Sequence, residues 1–467
     1  MIEVTNENFE QLLPSIEETI RMASFVAIDM ELSGLNASPA LKPTLFDSIE
    51  ERYRKQRETV NRFVCCQFGL TCFKRDPFVN KYTAKSFGFY LCPRSLGESR
   101  SKRFAFDASA VEFLSDYGLD FSKVLNAGIP YLNEEEEYSL KQDLANDCLI
   151  ELSKQTTAEF EYISSKITKW IASFENDKKQ EWSESFYVDY VPSVNDFSNY
   201  LLIKELRRNF KNIWIKTTDD KGTHQVVASR VSKEEYTRIA LEAFKDEEFA
   251  IKRSVGFSQV VRCLIETRKP IVGFNMMLDI LYLYNDFYRK LPRKLNTFKK
   301  EFVELFPETY DSKAIFNNSK KYYPEMTDLF NARSLEELYQ ILRSKEFLSR
   351  FLYQPVIESE STKGKEPETL PHDAGFDSYA SGYVFIRLAH MLAMKDKGIT
   401  KEAPTWTDHL RAVNEFKNQI NLIRATVHFL DLEKDDRNSI RPQWLVVENR
   451  DKSEPLSISK VRLEANF

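Results

Sequence analysis

Five side chains could do chemistry together: Asp29 and Glu31 in the run from Phe25 to Gly34, Asp279 in the run from Phe274, and His372 with Asp377 in the run from Pro371. Asp29 and Glu31 stand two positions apart at the end of an apolar stretch that reads as a buried strand. Alternate strand residues share a face, so the two carboxylates project together. Asp279 falls in the first turns of an otherwise apolar helix. Asp377 opens a second apolar helix, with His372 in the loop that enters it. Four carboxylates in one place repel one another unless cations neutralise them. Oxygen ligands, offered without cysteine or several histidines, suit hard divalent ions, Mg2+ with Mn2+ as a substitute, rather than zinc. Two such ions about 4 Å apart would serve phosphoryl transfer, one activating water and the other stabilising the leaving oxygen. His372, with an ordinary pKa near neutrality, suits the base that takes the proton from that water. Singly, each residue has a plainer reading: Asp-x-Glu occurs on solvated strands, and a lone histidine is more often structural.

The elements that must position these groups follow from periodicity and breakers. Residues 1–154 predict a mixed α/β unit. A helix over Phe9 to Met22 leads into the Asp29 strand, and a charged helix over Phe46 to Phe63 leads into a strand over Val64 to Phe73. Further strands are expected at Thr83 to Cys92 and near Phe104 to Phe106, giving a mixed sheet with an antiparallel side and helical cover. The acidic run after Asn133 reads as a helix start favoured by the helix dipole. Composition changes over 155–235, where polar and charged residues dominate and Trp170, Trp182 and Trp214 occur, so a small inserted domain is expected there. Its stretch Leu202 to Lys216 interleaves bases with aromatics, as a phosphate-contacting helix would, although a solvated amphipathic helix has the same pattern. The α/β pattern resumes over 236–435, with a helix at Phe257 to Thr267, a strand at Pro270 to Gly273, and a helix over 274–287 capped by Asn275.

Composition bounds the rest. The chain has 467 residues, 42% of them apolar, enough to bury a large core in two or three domains. Its net charge of −5, from 66 basic and 71 acidic residues, points to no polyanionic partner, so nucleic-acid binding must rest on local patches such as 52–57 and 289–294. The six cysteines lack paired metal spacing and read as buried, reduced thiols of a cytosolic protein. No apolar run is long enough to span a membrane, and the first thirty residues are too acidic for a secretory signal.

Asp-x-Glu, then Gly273 to Asp279, then His372-x-x-x-x-Asp377 resembles the DEDD 3′-to-5′ exonucleases of the histidine-bearing subclass. Within them the chain is similar to the poly(A)-specific ribonuclease family, through Val64 to Leu70, Lys85 to Tyr90, Asn126 to Asn133, Val255 to Ser258, Leu305 to Pro307 and Asp311 to Lys313. The likeness runs from residue 1 to about 435. It implies a ribonuclease-H-like exonuclease fold split by a small α/β nucleic-acid-binding insertion. It also implies Asp29, Glu31 and Asp377 around one Mg2+, Asp29 and Asp279 around the other, and His372 as general base. Leu32, Ser33 and Gly34 are expected to line the pocket of the terminal nucleotide. Lys313 is expected to face the RNA, or to support the site beside Asp311.

The expected activity is hydrolysis of single-stranded RNA from a free 3′-hydroxyl, releasing 5′-monophosphates. Residues 436–467 read as too short for a complete RNA-recognition motif. That ending resembles the branch that trims 3′ ends of PIWI-interacting RNA precursors, whose members often carry a C-terminal membrane anchor not seen in this sequence. For that branch the expected partners are a PIWI protein and a Tudor-type adaptor, with a homodimer as the family's common state. The expected location is the cytoplasm, in RNA granules or at the outer mitochondrial surface through a partner. Two other readings stay open: an mRNA deadenylase, and an RNA-binding adaptor with little activity alone.

Overall fold

The computed structural model describes residues 1–97, 102–146, 151–175, 185–211, 213–220, 223–326, 331–360, 372–397 and 402–435. The expectations for Trp182 and for the tail 436–467 fall outside these residues. A seven-stranded mixed sheet organises the chain, with the order β1 (Ile2–Val4), β4 (Lys81–Tyr90), β3 (Cys65–Arg75), β2 (Phe25–Leu32), β8 (Ile271–Gly273) and β9 (Thr309–Asp311). A further strand, β10 (Val356–Ser359), runs parallel to the first residues of β4. The pairs β2–β3 and β3–β4 are antiparallel, whereas β2–β8 and β8–β9 are parallel, so one half of the sheet meanders and the other is crossed over by helices.

The period of two in β2 decides where the acids go. Val26, Ile28, Met30 and Leu32 join one core with the helices Phe9–Met22, Ser258–Thr267, Met277–Phe287 and Leu295–Leu305. Phe25 and Ala27 join the opposite core, under the helix Ala374–Lys397. Asp29 and Glu31 continue that second face, where the first turn of Ala374–Lys397 brings Asp377. The close approach of that helix requires a glycine on β3: a Cβ at Gly69 would lie 1.7 Å from the Ala374 carbonyl oxygen. Asp373 starts the helix by accepting the Phe376 amide at 3.0 Å, and Gln67 of β3 donates to Asp373 at 3.2 Å while accepting the Ala374 amide at 3.0 Å.

Several boundaries differ from the sequence reading. The charged helix runs Ile49–Val60, because Ser48 and Glu51 form a capping box. No strand forms at Phe104 to Phe106. The segment is irregular, its backbone taken by side contacts from Ala105 to Arg62 and from Asp107 to Ser33. Asn275 does not cap the following helix, which runs Met277–Phe287. Instead Asn275 adopts a left-handed conformation, with φ of 62°. The acidic helix does begin after Asn133, which forms a capping box with Glu136.

Strands β5 (Ser185–Asp189), β6 (Ile213–Asp220) and β7 (Thr223–Arg230) form a separate antiparallel sheet in the order β5-β7-β6. Ile163, Ile167, Leu202, Leu206, Ile215 and Val226 belong to a core of its own. The stretch 202–216 is not one helix: the helix ends at Asn209 and β6 begins at Ile213. Its bases are largely engaged inside the protein. Arg207 lies 4.1 Å from the Trp214 ring and donates to the Ile215 carbonyl at 2.7 Å, and Lys204 pairs with Glu247. The described cysteines, Cys65, Cys66, Cys72, Cys92 and Cys263, are buried and free.

Candidate active site

Asp279 joins the strand acids because β8 is short. Beside β2 it pairs only at Val26 and Ala27, so the backbone of β2 is unladdered on that side from Ile28 onward. The Met30 amide, left without a strand partner there, donates to the Asp279 carboxylate from the neighbouring helix. Asp279 is thereby fixed against the backbone between Asp29 and Glu31. Asp377 is fixed from the other side: its Oδ2 accepts the His372 amide at 3.0 Å, and its own amide donates to the Asp373 carbonyl at 2.8 Å. The first of these bonds needs an unusual backbone, and His372 sits at φ of 61°, in the left-handed region that a residue with a Cβ seldom occupies. Its ring is held edge-on between Phe113 and Tyr117, at centroid distances of 4.6 and 4.3 Å.

The result is a cavity of about 540 Å³ lined by Asp29, Glu31, Asp279, His372 and Asp377 together. Glu31, His372 and Asp377 each present one ligand atom, all within 4.8 Å of one another. The electrostatics are those of a site lacking its counter-charge. Burial, then the charges of Asp377, Asp279 and Glu31, holds the Asp29 carboxyl well above the ordinary range. Burial, then Asp377 and Asp279, does the same to Glu31. Burial pushes Asp279 and Asp377 up to about 7, against the opposing effect of the amides each accepts. No described Lys or Arg forms an ion pair with any of the four. A convergent set of carboxylate oxygens, uncompensated by any described cation, fits divalent ions, and the imidazole stands beside it. For His372, burial lowers the pKa, which keeps the ring neutral and able to accept a proton at neutral pH.

The other expected residues divide. Leu32 and Lys313 line the cavity. Burial lowers the Lys313 pKa, and its ammonium lies 5.2 Å from the centroid of the Phe274 ring. Ser33 and Gly34 do not line it. Ser33 is fully buried, its hydroxyl accepting the Val64 amide at 3.0 Å and donating to the Ala105 carbonyl at 2.8 Å. A Cβ on Gly34 would strike the Phe63 ring at 2.5 Å, so close packing, not a nucleotide, explains that glycine. In the basic stretches, Arg52, Lys55, Arg57 and Arg289 are all bonded within the protein.

Asp311 turns out to be a hub. Its carboxylate accepts five amides, from Asn275, Met276, Lys313, Ala314 and Asn421, at 2.9 to 3.3 Å. That one fully buried side chain ties the turn before Asp279, the start of the helix Ser312–Ser319 and the strand β11 (Gln419–Asn421) into one wall. Gln67 and Asp373, which seat the Asp377 helix, escaped the sequence reading. The only signal for Asp373 was an acid at the position just before an apolar helix. Leu35, Asn36, Asn421 and Arg424 also line the cavity, and no motif marked them.

Comparison with known proteins follows the same lines. Residues 4–385 match the model of the CAF1 family ribonucleases. The poly(A)-specific ribonuclease PNLDC1 of Mus musculus is 31% identical over 458 residues, covering 96% of this chain and 82% of that protein. The pre-piRNA 3′-exonuclease trimmer of Bombyx mori is 30% identical over 452 residues, with the same coverage of 96% and 82%. The poly(A)-specific ribonuclease PARN of Xenopus laevis is 30% identical over 466 residues, covering 96% of this chain and 71% of that protein.

Proposed function

The chain belongs to the CAF1 family of ribonucleases, which are 3′-to-5′ exoribonucleases, and from that premise we propose that it shortens single-stranded RNA from a free 3′-hydroxyl, one nucleoside 5′-monophosphate at a time, as a trimmer of PIWI-interacting RNA precursors. The observation that carries the site chemistry is the convergence of four uncompensated carboxylates and one neutral imidazole on a single cavity. Asp29, Glu31, Asp279 and Asp377 would hold divalent cations, with Asp29 shared between two. Bound there, the cations supply a hydroxide-like water and charge stabilisation for the leaving oxygen.

The protein's own part is placement and proton transfer. Asp279, held by the Met30 amide, and Asp377, held by the His372 amide, keep their oxygens converged without a water shell to reorganise. His372, neutral and clamped by Phe113 and Tyr117, accepts the proton of the attacking water. Leu32 and Leu35 present apolar surface on the wall next to Glu31, against which a terminal base can stack.

The Bombyx mori relative supports trimming: the match covers 82% of that protein, against 71% of the Xenopus laevis poly(A)-specific ribonuclease PARN. Digestion of equal-length poly(A) and mixed-sequence RNA, each with a 2′-hydroxyl or a 2′-O-methyl 3′ end, tests the reading. Similar rates on both sequences and slowing by 2′-O-methylation are expected. Strong selectivity for poly(A) would favour a deadenylase instead.

A further inference from the structure

The cavity has a basic rim as well as an acidic floor, and one residue of that rim is held in a way the acids do not account for. Arg424 lies in the turn between β11 and β12 (Phe429–Asp431), exposed and lining the cavity. Its backbone is left-handed, with φ of 53°, a conformation that costs a non-glycine residue free energy and persists only when its surroundings impose it. The constraint is visible. The buried guanidinium of Arg52 donates to the Ile423 carbonyl at 2.6 Å and also to the carbonyl of Arg424 itself. The same guanidinium bonds Asp47 and the Thr44 carbonyl, and the Asp47 carbonyl accepts the Thr426 amide at 3.4 Å. A buried cation thus braces a strained turn from below. The side chain so displayed is itself a guanidinium with no carboxylate partner among the described residues.

We propose that Arg424 is an RNA-binding residue that contacts a backbone phosphate upstream of the bond being cut, and that Arg52 is its positioning residue. This rests on the reading of the cavity as the place where an RNA 3′ end is cut. A planar guanidinium can grip a phosphate through two parallel hydrogen bonds, and a braced backbone reduces the entropy lost on doing so. The other cations lining the cavity fit less well: Lys313 is partly buried over Phe274, Arg52 is fully engaged, and the exposed Lys42 offers an ammonium without the planar fork of a guanidinium. Because the contact lies outside the bond that breaks, it is made in ground and transition states alike and acts on binding, not on the chemical step.

The test compares the full chain with Arg424→Gln and Arg52→Lys on a 5′-labelled single-stranded RNA in Mg2+ at several salt concentrations. For Arg424→Gln, KM is expected to rise about tenfold with kcat within twofold of the parent. The log–log salt dependence of binding is expected to flatten by about 0.7. Replacing single phosphates by methylphosphonates should reveal one position that weakens the parent as much as Arg424→Gln does and weakens Arg424→Gln no further. Arg52→Lys should raise KM in the parent but not in the Arg424→Gln background. Parent-like KM and salt slope in Arg424→Gln, with RNA still degraded by the parent, would overturn the assignment of Arg424 and leave the cavity reading standing. Failure of the parent to degrade any RNA would overturn the cavity reading and this assignment with it. Arg424→Gln alone decides the matter if Arg52→Lys does not fold.

Discussion

Asp47, which reaches the cavity only through its partner Arg52, and the four acids that line the cavity are treated in opposite ways. Asp47 is buried against Arg52 and Lys55, at 3.3 and 2.7 Å, and accepts hydrogen bonds from the Thr44 amide and hydroxyl. Those bonds and the Lys55 charge hold its carboxyl down at about 2 despite the cost of burial. Asp29, Glu31, Asp279 and Asp377 have no such cation among the described residues, and their pKa values move up instead. The difference separates an acid with a described cation beside it from acids that have none among the described residues, which is the arrangement a divalent ion would neutralise. Asp311 is a third solution: no cation, but five amides, which makes it a structural anchor.

The largest effects should break this contrast at the level of activity. Asp29→Asn and Asp279→Asn are expected to lower the rate of nucleotide release by at least about a thousandfold, because each removes a metal ligand while leaving the fold intact. His372→Ala should cost roughly a hundredfold or more in kcat with cation binding largely kept, the scale of a lost general base. Single-turnover assays with calorimetric Mn2+ titrations separate the two losses. Parent-like rates in either aspartate variant would remove the ground for treating the four acids as metal ligands.

Stability should show the same contrast with opposite signs. Asp47→Asn leaves the buried Arg52 without its counter-charge and is expected to cost about 3 kcal/mol in chemical denaturation. Asp29→Asn relieves repulsion and should raise the melting temperature of the metal-free protein. The pH dependence follows from the direction of the shifts. Asp279 and Asp377 bind a proton more tightly folded than unfolded, so their contribution is fully present below about pH 4 and is lost as pH rises through about 7. Asp47 runs the other way, contributing above about pH 4 and losing its contribution as pH falls through about 2. Metal-free melting temperatures should therefore decline between pH 5 and 8, and Mg2+ or Mn2+ should reduce that decline. A flat profile insensitive to either ion would contradict it. The smallest change is Ser33→Ala, expected to cost about 1 kcal/mol through lost hydrogen bonds and to leave KM unaltered.

What the sequence made legible was periodic and local. The helix Phe9–Met22, the Asp29 strand and the mixed antiparallel-and-parallel sheet could be read from apolar spacing and breakers. Four of the five chemical residues could be named as acids in apolar strands or helices, and His372 by its place in the loop five residues before Asp377. Less legible was whatever depends on which segments meet. Ser33 and Gly34 looked like a pocket wall because they follow the acids, yet one is spent on the Val64 and Ala105 backbones and the other on Phe63. The Arg52 stretch looked like an RNA track, but a chain-distant turn at Ile423 and Arg424 claims its first guanidinium. The convergence of five amides on Asp311 joins positions 275 to 421, and no local pattern encodes it.

The central claim is that the four unpaired acids await divalent cations that make the cavity a 3′-exonuclease site. Its most direct test measures 5′-mononucleotide release from a single-stranded RNA with a free 3′-hydroxyl, by the parent and by Asp29→Asn, after complete chelation and again after Mg2+ is restored. Release by the parent only when Mg2+ is present, and none by Asp29→Asn in either state, is the expected result. Equal release in chelator, or by Asp29→Asn, would contradict the account.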